Sequence, residues 1–374
     1  MHLYIHIPFC RQACHYCDFH FSTNTSGKRT VVEAIAREIV LRASYLPGKK
    51  LETIYFGGGT PSLLDEAELD LLLSTILGQF SVSSHAEITL EANPDDLNQQ
   101  KIQQFANAGI NRLSIGIQSF HEPHLKLLNR IHSSTEAETC VKIAQDAGIN
   151  NISIDLIYAI PAADHSILQS DMQKAFEMDI SHISAYCLTI EPQTAFGSWL
   201  KKKKIKPIDE DFAARQFEIL VSSLSQNGYE QYEISNFARN EQYSEHNSSY
   251  WKQRPYLGVG PSAHSYNGVS REYNVSNNAK YLTSIHQDLI PSTYEKLSLE
   301  DRTNEYLLTG LRTKWGVQHA ELDALSGGKF ILQHDAELKT MSKNGWITLD
   351  QKTILLTETG KLFADRIASD LFID

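Results

Sequence analysis

The 374-residue chain has no excess of positive charge, no long apolar run and little cysteine, and each shortage closes off a class of protein. It carries 34 Lys and Arg against 45 Asp and Glu, a net charge of −11, so binding of nucleic acid by bulk charge is not expected. No stretch approaches the roughly 18 apolar residues that cross a bilayer. The opening MHLYIHIPFC lacks the basic, apolar and small-residue order of a secretion signal, so a cytoplasmic protein is expected. Glycine and proline number only 20 and 11, which excludes collagen-like and low-complexity chains, and 41% hydrophobic residues suffice for a core. Five cysteines do not make a disulfide framework at this length, and three of them fall within eight residues.

What is present is an alternation. Short apolar stretches at Leu3–Ile7, Thr53–Phe56, Glu87–Glu91, Arg112–Ile117, Ile152–Ile157 and His182–Leu188 read as strands covered on both faces. Between them, VVEAIAREIVLRASYL, EAELDLLLSTIL, KIQQFANAG, EAETCVKIAQDAG and MQKAFEM have helical periodicity, with Gly109 and Gly148 placed to close two of them. Six strand–helix repeats with right-handed crossovers predict an α/β fold with a parallel sheet, an incomplete (β/α)6 TIM-like barrel spanning residues 1–227. Residues 228–290, dense in Tyr, Asn, Ser, Gly and His, read as irregular, site-forming structure. Residues 291–374 read as helices followed by a hairpin, a small α+β winged-helix-like domain. With 10 Lys and Arg against 13 Asp and Glu, that domain is expected to pack or cover rather than to bind DNA.

Cys10, Cys14 and Cys17 form C-x3-C-x2-C directly after the first strand. Three such thiolates can share one metal centre. Zinc needs a fourth ligand, here from His15, Asp18 or His20, whereas a [4Fe–4S] cube held by three cysteines keeps one iron open for a small molecule. Gly57-Gly58-Gly59-Thr60-Pro61 follows the second strand, where glycines let backbone approach a ligand; no Gly-Lys-Ser/Thr follows, as a phosphate loop requires. Polar residues close the strands: Glu91, Gln118, Asp155, Thr189 and Glu191. In a parallel barrel these ends share one mouth, although singly each reads as a cap or loop residue.

The cysteine spacing, with Tyr16 before the last cysteine, resembles the radical S-adenosylmethionine (SAM) superfamily. The resemblance implies a radical SAM partial barrel, with a [4Fe–4S] cluster on Cys10, Cys14 and Cys17. It also implies SAM chelating the open iron and yielding a 5′-deoxyadenosyl radical. Motif by motif it implies SAM contacts from Tyr4, Tyr16, Gly58, Gly59, Thr60, Glu91, Gln118, Arg130 and Asp155. YIHIPFC, IYFGGGTPSLL, LEANPDDL, LSIGIQSF and DLIYAIP are similar to the subgroup of oxygen-independent coproporphyrinogen III oxidase and its relatives. The true oxidases carry a further cysteine two positions after the triplet, where this chain has Cys17-Asp18-Phe19, so the alternative of oxidative decarboxylation to protoporphyrinogen is disfavoured. The haem chaperones of the subgroup, the HemW-type proteins, share the Cys-Asp-Phe ending and a His-Asn-x-x-Tyr-Trp motif, present as His246-Asn247-Ser248-Ser249-Tyr250-Trp251. That resemblance implies haem contact through His246, transfer of haem to an acceptor protein, and an electron donor for the cluster. His264 is a second candidate for haem, and no Cys-x-x-Cys-His attachment site occurs. Lys201–Lys204 with Lys206 reads as a solvated helix end, or as a basic patch for haem propionates or a transient membrane-surface contact. Cys140 and Cys187 read as small core residues.

Overall fold

A computed structural model describes residues 1–373. Six strands, β1 (His2–Ile7), β2 (Lys50–Gly58), β3 (Ser81–Ala92), β4 (Arg112–Gln118), β5 (Asn151–Tyr158) and β6 (His182–Cys187), lie parallel and adjacent in sequence order. Helices α1 (Lys28–Leu41), α2 (Glu66–Gln79), α3 (Gln99–Asn107), α4 (Glu122–Leu128), α5 (Ser134–Asp146) and α6 (Ser166–Glu177) connect them. Local chemistry sets several helix ends. Asp65 with Glu68, and Ser133 with Glu136, form capping boxes that start α2 and α5, each worth about 1 kcal/mol. Gly109 and Gly148, at φ of +91° and +89°, end α3 and α5 in the left-handed conformation that side chains resist.

The strands alternate in a way that decides where the site lies. Leu3, Ile5 and Ile7 of β1 are fully buried against the helical layer. His2, Tyr4 and His6 point the other way, into the barrel, where Tyr4 and Tyr55 stack on the ring of His246. Many of the polar groups lining the lumen are hydrogen-bonded to one another, although Arg112 Nε and Thr89 Oγ1 are buried without a hydrogen-bond partner. The His182 ring bridges the Ser153 hydroxyl at 2.7 Å and the Tyr232 hydroxyl at 2.7 Å. The Glu87 carboxylate accepts from the backbone N–H groups of Glu245 and His246 at 3.0 Å, and Arg112 lies 3.7 Å from it. Removing one member of such a pair leaves its buried partner unsatisfied, at a cost of about 1–3 kcal/mol.

The barrel is open, as an incomplete (β/α)6 barrel requires. After helices α7 (Ala195–Lys201) and α8 (Glu210–Gln226), β7 (Glu230–Glu233) and β8 (Asn236–Ala238) add antiparallel strands beyond β6. Following α9 (Glu245–Trp251), β9 (Tyr256–Val259) pairs parallel with β1, and β10 (His264–Tyr266), β11 (Ser270–Asn274) and, after α10 (Asn278–Ile285), β12 (Ser292–Lys296) continue outward. The result is a single twelve-stranded sheet. Residues 228–290 are therefore not irregular: they supply five strands and two helices. Their sequence conceals this because strands of three to five residues at sheet edges are held by backbone ladders and close approach rather than by an apolar face. At Gly258 a Cβ would stand 1.9 Å from the carbonyl oxygen of His264, so only glycine admits β10 beside β9.

A second core begins with α11 (Leu299–Leu311), where Leu307, Leu311, Phe330, Ile354 and Ile367 pack together. Its sheet joins β13 (Val317–Gln318), β14 (Ile347–Leu349) and β15 (Thr353–Leu356) in the order β13-β15-β14. This unit is fastened to the barrel through Arg312, whose guanidinium meets buried Glu233 at 3.1 Å, and through the Ile234 N–H to the Arg312 carbonyl at 3.1 Å. No helix among the described residues is long and apolar enough to cross a membrane. Lys201–Lys204 and Lys206 are exposed at and beyond the end of α7, a solvated helix end.

Candidate functional site

At the C-terminal ends of the parallel strands the barrel mouth opens into a cavity of about 460 Å³, within the range of roughly 300–1,000 Å³ usual for small-molecule sites. Cys10, Cys14 and Cys17 line one wall, on the loop that leaves β1. That loop is tied down at several points: the Cys10 N–H donates to the Ser22 carbonyl at 3.0 Å, the Asn129 amide to the Ala13 carbonyl at 2.7 Å, and the His15 N–H to the Leu128 carbonyl at 3.2 Å. His15 is an anchor, its Nδ1 against the Leu127 carbonyl at 2.9 Å and its ring 4.6 Å from that of Trp199. His20 is engaged by Asn278 at 2.8 Å. Each of these two histidines thus has one ring nitrogen engaged by a neighbouring oxygen. Burial pushes the Cys10 thiol up to about 11 and the Cys17 thiol up to about 12, so any cluster must displace their protons.

The opposite wall explains the glycine motif. Gly58 has φ of +107°, and a Cβ there would sit 2.6 Å from the His6 ring. A Cβ on Gly59 would stand 2.7–2.9 Å from backbone atoms of Ile7 and Phe9, to which the Gly59 and Thr60 N–H groups donate. The motif therefore locks the start of the cysteine loop to the end of β2. Glu91 braces it from β3, accepting from the Gly58 N–H at 3.1 Å and the Tyr55 hydroxyl at 2.8 Å. Burial raises the Glu91 carboxyl to about 7 and that of Asp155 to about 6, and the charge of Asp155 adds to the rise at Glu91. Arg130 supplies the cation, with Nη1 3.5 Å from the Cys14 sulfur and Nη2 2.7 Å from Asn93 Oδ1 and 2.5 Å from the Gly116 carbonyl. Gln118 is held at φ of +71° where the β4–β5 register breaks, a costly backbone state that turns its side chain into the mouth.

Eleven of the residues singled out by sequence meet here: the three cysteines, Tyr16, Gly58, Gly59, Thr60, Glu91, Gln118, Arg130 and Asp155. Thr189 joins them and Glu191 does not. Tyr4 lies deeper in the barrel, its hydroxyl 3.2 Å from His6 Nδ1. His246 lies outside the mouth altogether. It is fully buried in α9, with Nδ1 2.6 Å from the Thr53 hydroxyl and Nε2 2.7 Å from the Tyr250 hydroxyl, and burial drives its pKa well below that of free histidine. His264 is exposed on β10, its ring stacked with Tyr273 at 5.5 Å. Sequence reasoning missed Asn93, Ser114, Gly116 and Tyr186, which line the mouth. Cys187, read as a core residue, is instead half-buried and lines the same cavity, because it is the last residue of β6. The strand alternation of residues 112–118 and 182–187 carried enough information to place Ser114, Gly116 and Tyr186 on the lumen side.

Strand ends that carry three thiols, a glycine brace and an interior cation around one mouth define a radical SAM protein, and the chain's likenesses agree. Residues 4–170 match the Radical SAM superfamily and residues 297–363 the HemN C-terminal domain. Heme chaperone HemW of Bacillus subtilis is 33% identical over 368 residues, 97% of each chain. Heme chaperone HemW of Escherichia coli is 38% identical over 264 residues, 70% of this chain and 69% of that protein. The fold is that of coproporphyrinogen III oxidase (HemN) from Escherichia coli, with a TM-score of 0.85 and 23% identity, covering 99% of this chain and 89% of that one. The chain belongs to the HemW family.

Proposed function

We propose that the protein is a haem carrier built on a radical SAM scaffold, holding a [4Fe–4S] cluster through Cys10, Cys14 and Cys17 and SAM beside it, and passing haem to an acceptor protein. The observation that carries the cofactor reading is the gathering of three thiols from one loop with Arg130, Glu91 and the Gly58–Thr60 backbone around a single cavity. The residues fit the groups. Thiolates are the ligand type iron–sulfur clusters require, and at Gly58 and Gly59, where a Cβ would strike neighbouring atoms, only bare backbone can form the rim. When bound, the cluster would supply the electron that opens the sulfonium bond of SAM. The chain's own part is positional. Arg130 would neutralise thiolate charge, Glu91 would keep the Gly58 N–H engaged so that neighbouring carbonyls face an amino group, and Asp155 and Gln118 would orient the remainder of SAM.

For haem, the reading is supported by membership of the HemW family and by the His246-to-Trp251 motif. Transfer of haem requires an acceptor, and reduction of the cluster requires an electron donor. The test is anaerobic reconstitution followed by iron, sulfide and haem titration. About four iron and four sulfide per chain and saturable haem uptake are expected. Formation of protoporphyrinogen from coproporphyrinogen III would overturn the carrier reading in favour of the oxidase.

A further inference from the structure

The chain has a net charge of −11, yet Lys201, Lys202, Lys203, Lys204 and Lys206 crowd into one short segment. All five are exposed, and none forms an ion pair or a side-chain hydrogen bond among the described residues. The acids that follow in sequence belong to the next helix. Asp209 caps α8, its carboxylate accepting from the Phe212 N–H at 3.0 Å, and Glu210 and Asp211 stand in the first turn, where the helix dipole favours them.

Helix chemistry accounts for only part of the lysine run. Lys201 and Lys202 complement the carbonyl end of α7. The Lys203 N–H donates to the Leu200 carbonyl at 2.9 Å and the Lys204 N–H to the Trp199 carbonyl at 2.8 Å, the paired bonds of a Schellman close, with Lys203 at φ of +56°. Glycine fills the corresponding left-handed position after α3 and α5, and a lysine there is strained by comparison. Lys204 and Lys206 lie beyond the helix altogether.

The run is also fixed beside the cysteine loop. The Phe196 N–H at the start of α7 donates to the His15 carbonyl at 3.0 Å, and the Trp199 ring lies 4.6 Å from the ring of His15, which stands between Cys14 and Tyr16. Trp199, Ile205 and Ile208 pack with Tyr16 on a small apolar cluster that includes Leu188 and Phe196. On the same loop Phe19, two residues past Cys17, is 68% exposed. Five free cations and an exposed aromatic ring therefore border the segment that carries the three thiols.

We infer that Lys201–Lys204 and Lys206 are the docking surface for a small acidic protein that carries one electron and delivers it to the cluster across the cysteine loop. One electron leaves the donor and enters the cluster, and no bond forms or breaks. The inference rests on the cluster reading above. Charge complementarity selects the partner: a chain that is negative on balance repels an acidic protein except at this patch, so encounter is steered to the side of the thiols.

Reconstituted full-length protein is mixed anaerobically with a photoreduced plant-type ferredoxin, an acidic carrier, or with dithionite, and loss of the cluster's visible absorbance is followed by stopped flow. Binding of oxidised ferredoxin to cluster-free protein is measured by calorimetry. The variant combines Lys201→Gln, Lys202→Gln, Lys204→Gln and Lys206→Gln, all at exposed positions, and is expected to melt with the wild type. Its second-order rate with ferredoxin is expected to fall about tenfold or more at about 0.01 M salt and to converge with the wild-type rate near about 1 M, where screening shortens the reach of charge to about 3 Å. Ferredoxin binding should weaken in step, and the dithionite rate should stay nearly unchanged. Lys203→Gly is expected to raise the melting temperature while lowering the ferredoxin rate. Wild-type protein that dithionite does not bleach overturns the cluster reading and this surface with it. Protein that dithionite bleaches but ferredoxin does not, or equal ferredoxin rates for wild type and variant at low salt, overturns the surface alone. A variant that keeps its ferredoxin rate but no longer adsorbs to vesicles of phosphatidylcholine and phosphatidylglycerol assigns the lysines to an anionic membrane surface and likewise overturns the donor.

Discussion

The glycine brace gives the sharpest test, because the same substitution at two glycines is expected to move stability in opposite directions. Gly59→Ala places a methyl group 2.7–2.9 Å from three backbone atoms of Ile7 and Phe9, neighbours that cannot swing aside as a side chain tip can. Either the end of β1 moves or the loop does. Two backbone hydrogen bonds, Gly59 N–H to Ile7 at 2.9 Å and Thr60 N–H to Phe9 at 2.7 Å, hold that junction. Losing both costs about 1–3 kcal/mol at 0.5–1.5 kcal/mol each. Overpacking a rigid site adds about 1–3 kcal/mol. A total of about 2–6 kcal/mol is a large part of the roughly 5–15 kcal/mol that keeps a domain folded. Because Cys10 follows Phe9 directly, the strain also falls on the cluster loop. Gly78, near the end of α2, has open space where a methyl group would stand, with no atom within 4 Å, so Gly78→Ala should stabilise by about 0.5–1 kcal/mol through helix propensity alone. Thermal unfolding of both variants, with sulfide content after anaerobic reconstitution, decides the matter. A Gly59→Ala protein that melts with the wild type and retains full sulfide would refute the reasoning.

Cys14→Ala should eliminate the cluster while changing the melting of cluster-free protein little, since the side chain is half-buried in a loop anchored elsewhere; undiminished acid-labile sulfide would contradict the assignment. Glu91→Gln should separate stability from function. The raised folded-state pKa of about 7 means that wild type bears no penalty at pH 4, below the unfolded value, and a growing one up to about pH 7. From pH 4 to pH 8 the cluster-free variant should thus gain on the order of 3 kcal/mol over wild type while its SAM affinity falls; a difference in unfolding free energy between variant and wild type that is the same at both pH values would count against this. Glu233→Ala leaves Arg312 with Asp365 as its remaining carboxylate partner and strips acceptors from the Ser235 N–H and the Asn236 amide, so it should cost about 1–3 kcal/mol and loosen the C-terminal unit, measurable as faster proteolysis between residues 296 and 312.

The mouth was legible in the sequence to an unusual degree, for a physical reason. In a parallel barrel every strand ends on the same rim, so residues far apart in the chain, such as Gly58, Glu91, Gln118 and Asp155, are brought together by topology once the six repeats are read. The later strands were not legible. β9 pairs with β1 across some two hundred and fifty residues of chain, and its four residues carry no periodicity that could announce it. His246 shows the same limit in one side chain. Its motif is plain in sequence, but its burial and the Thr53 hydrogen bond depend on α9 filling the end of the barrel opposite the mouth.

Sequence alone determined what local chemistry fixes: helix ends by capping residues, strand faces by alternation, and a loop of three thiols whose spacing needs no distant partner. Tertiary structure decided which groups remain free. Whether a histidine, a cysteine or a carboxylate is spent on a neighbour or left facing a cavity depends on contacts between strands and helices far apart in the chain, and no window of residues contains both sides of such a contact. That is why His246 is consumed within the fold, Cys187 faces the mouth, and His2 keeps one nitrogen unengaged.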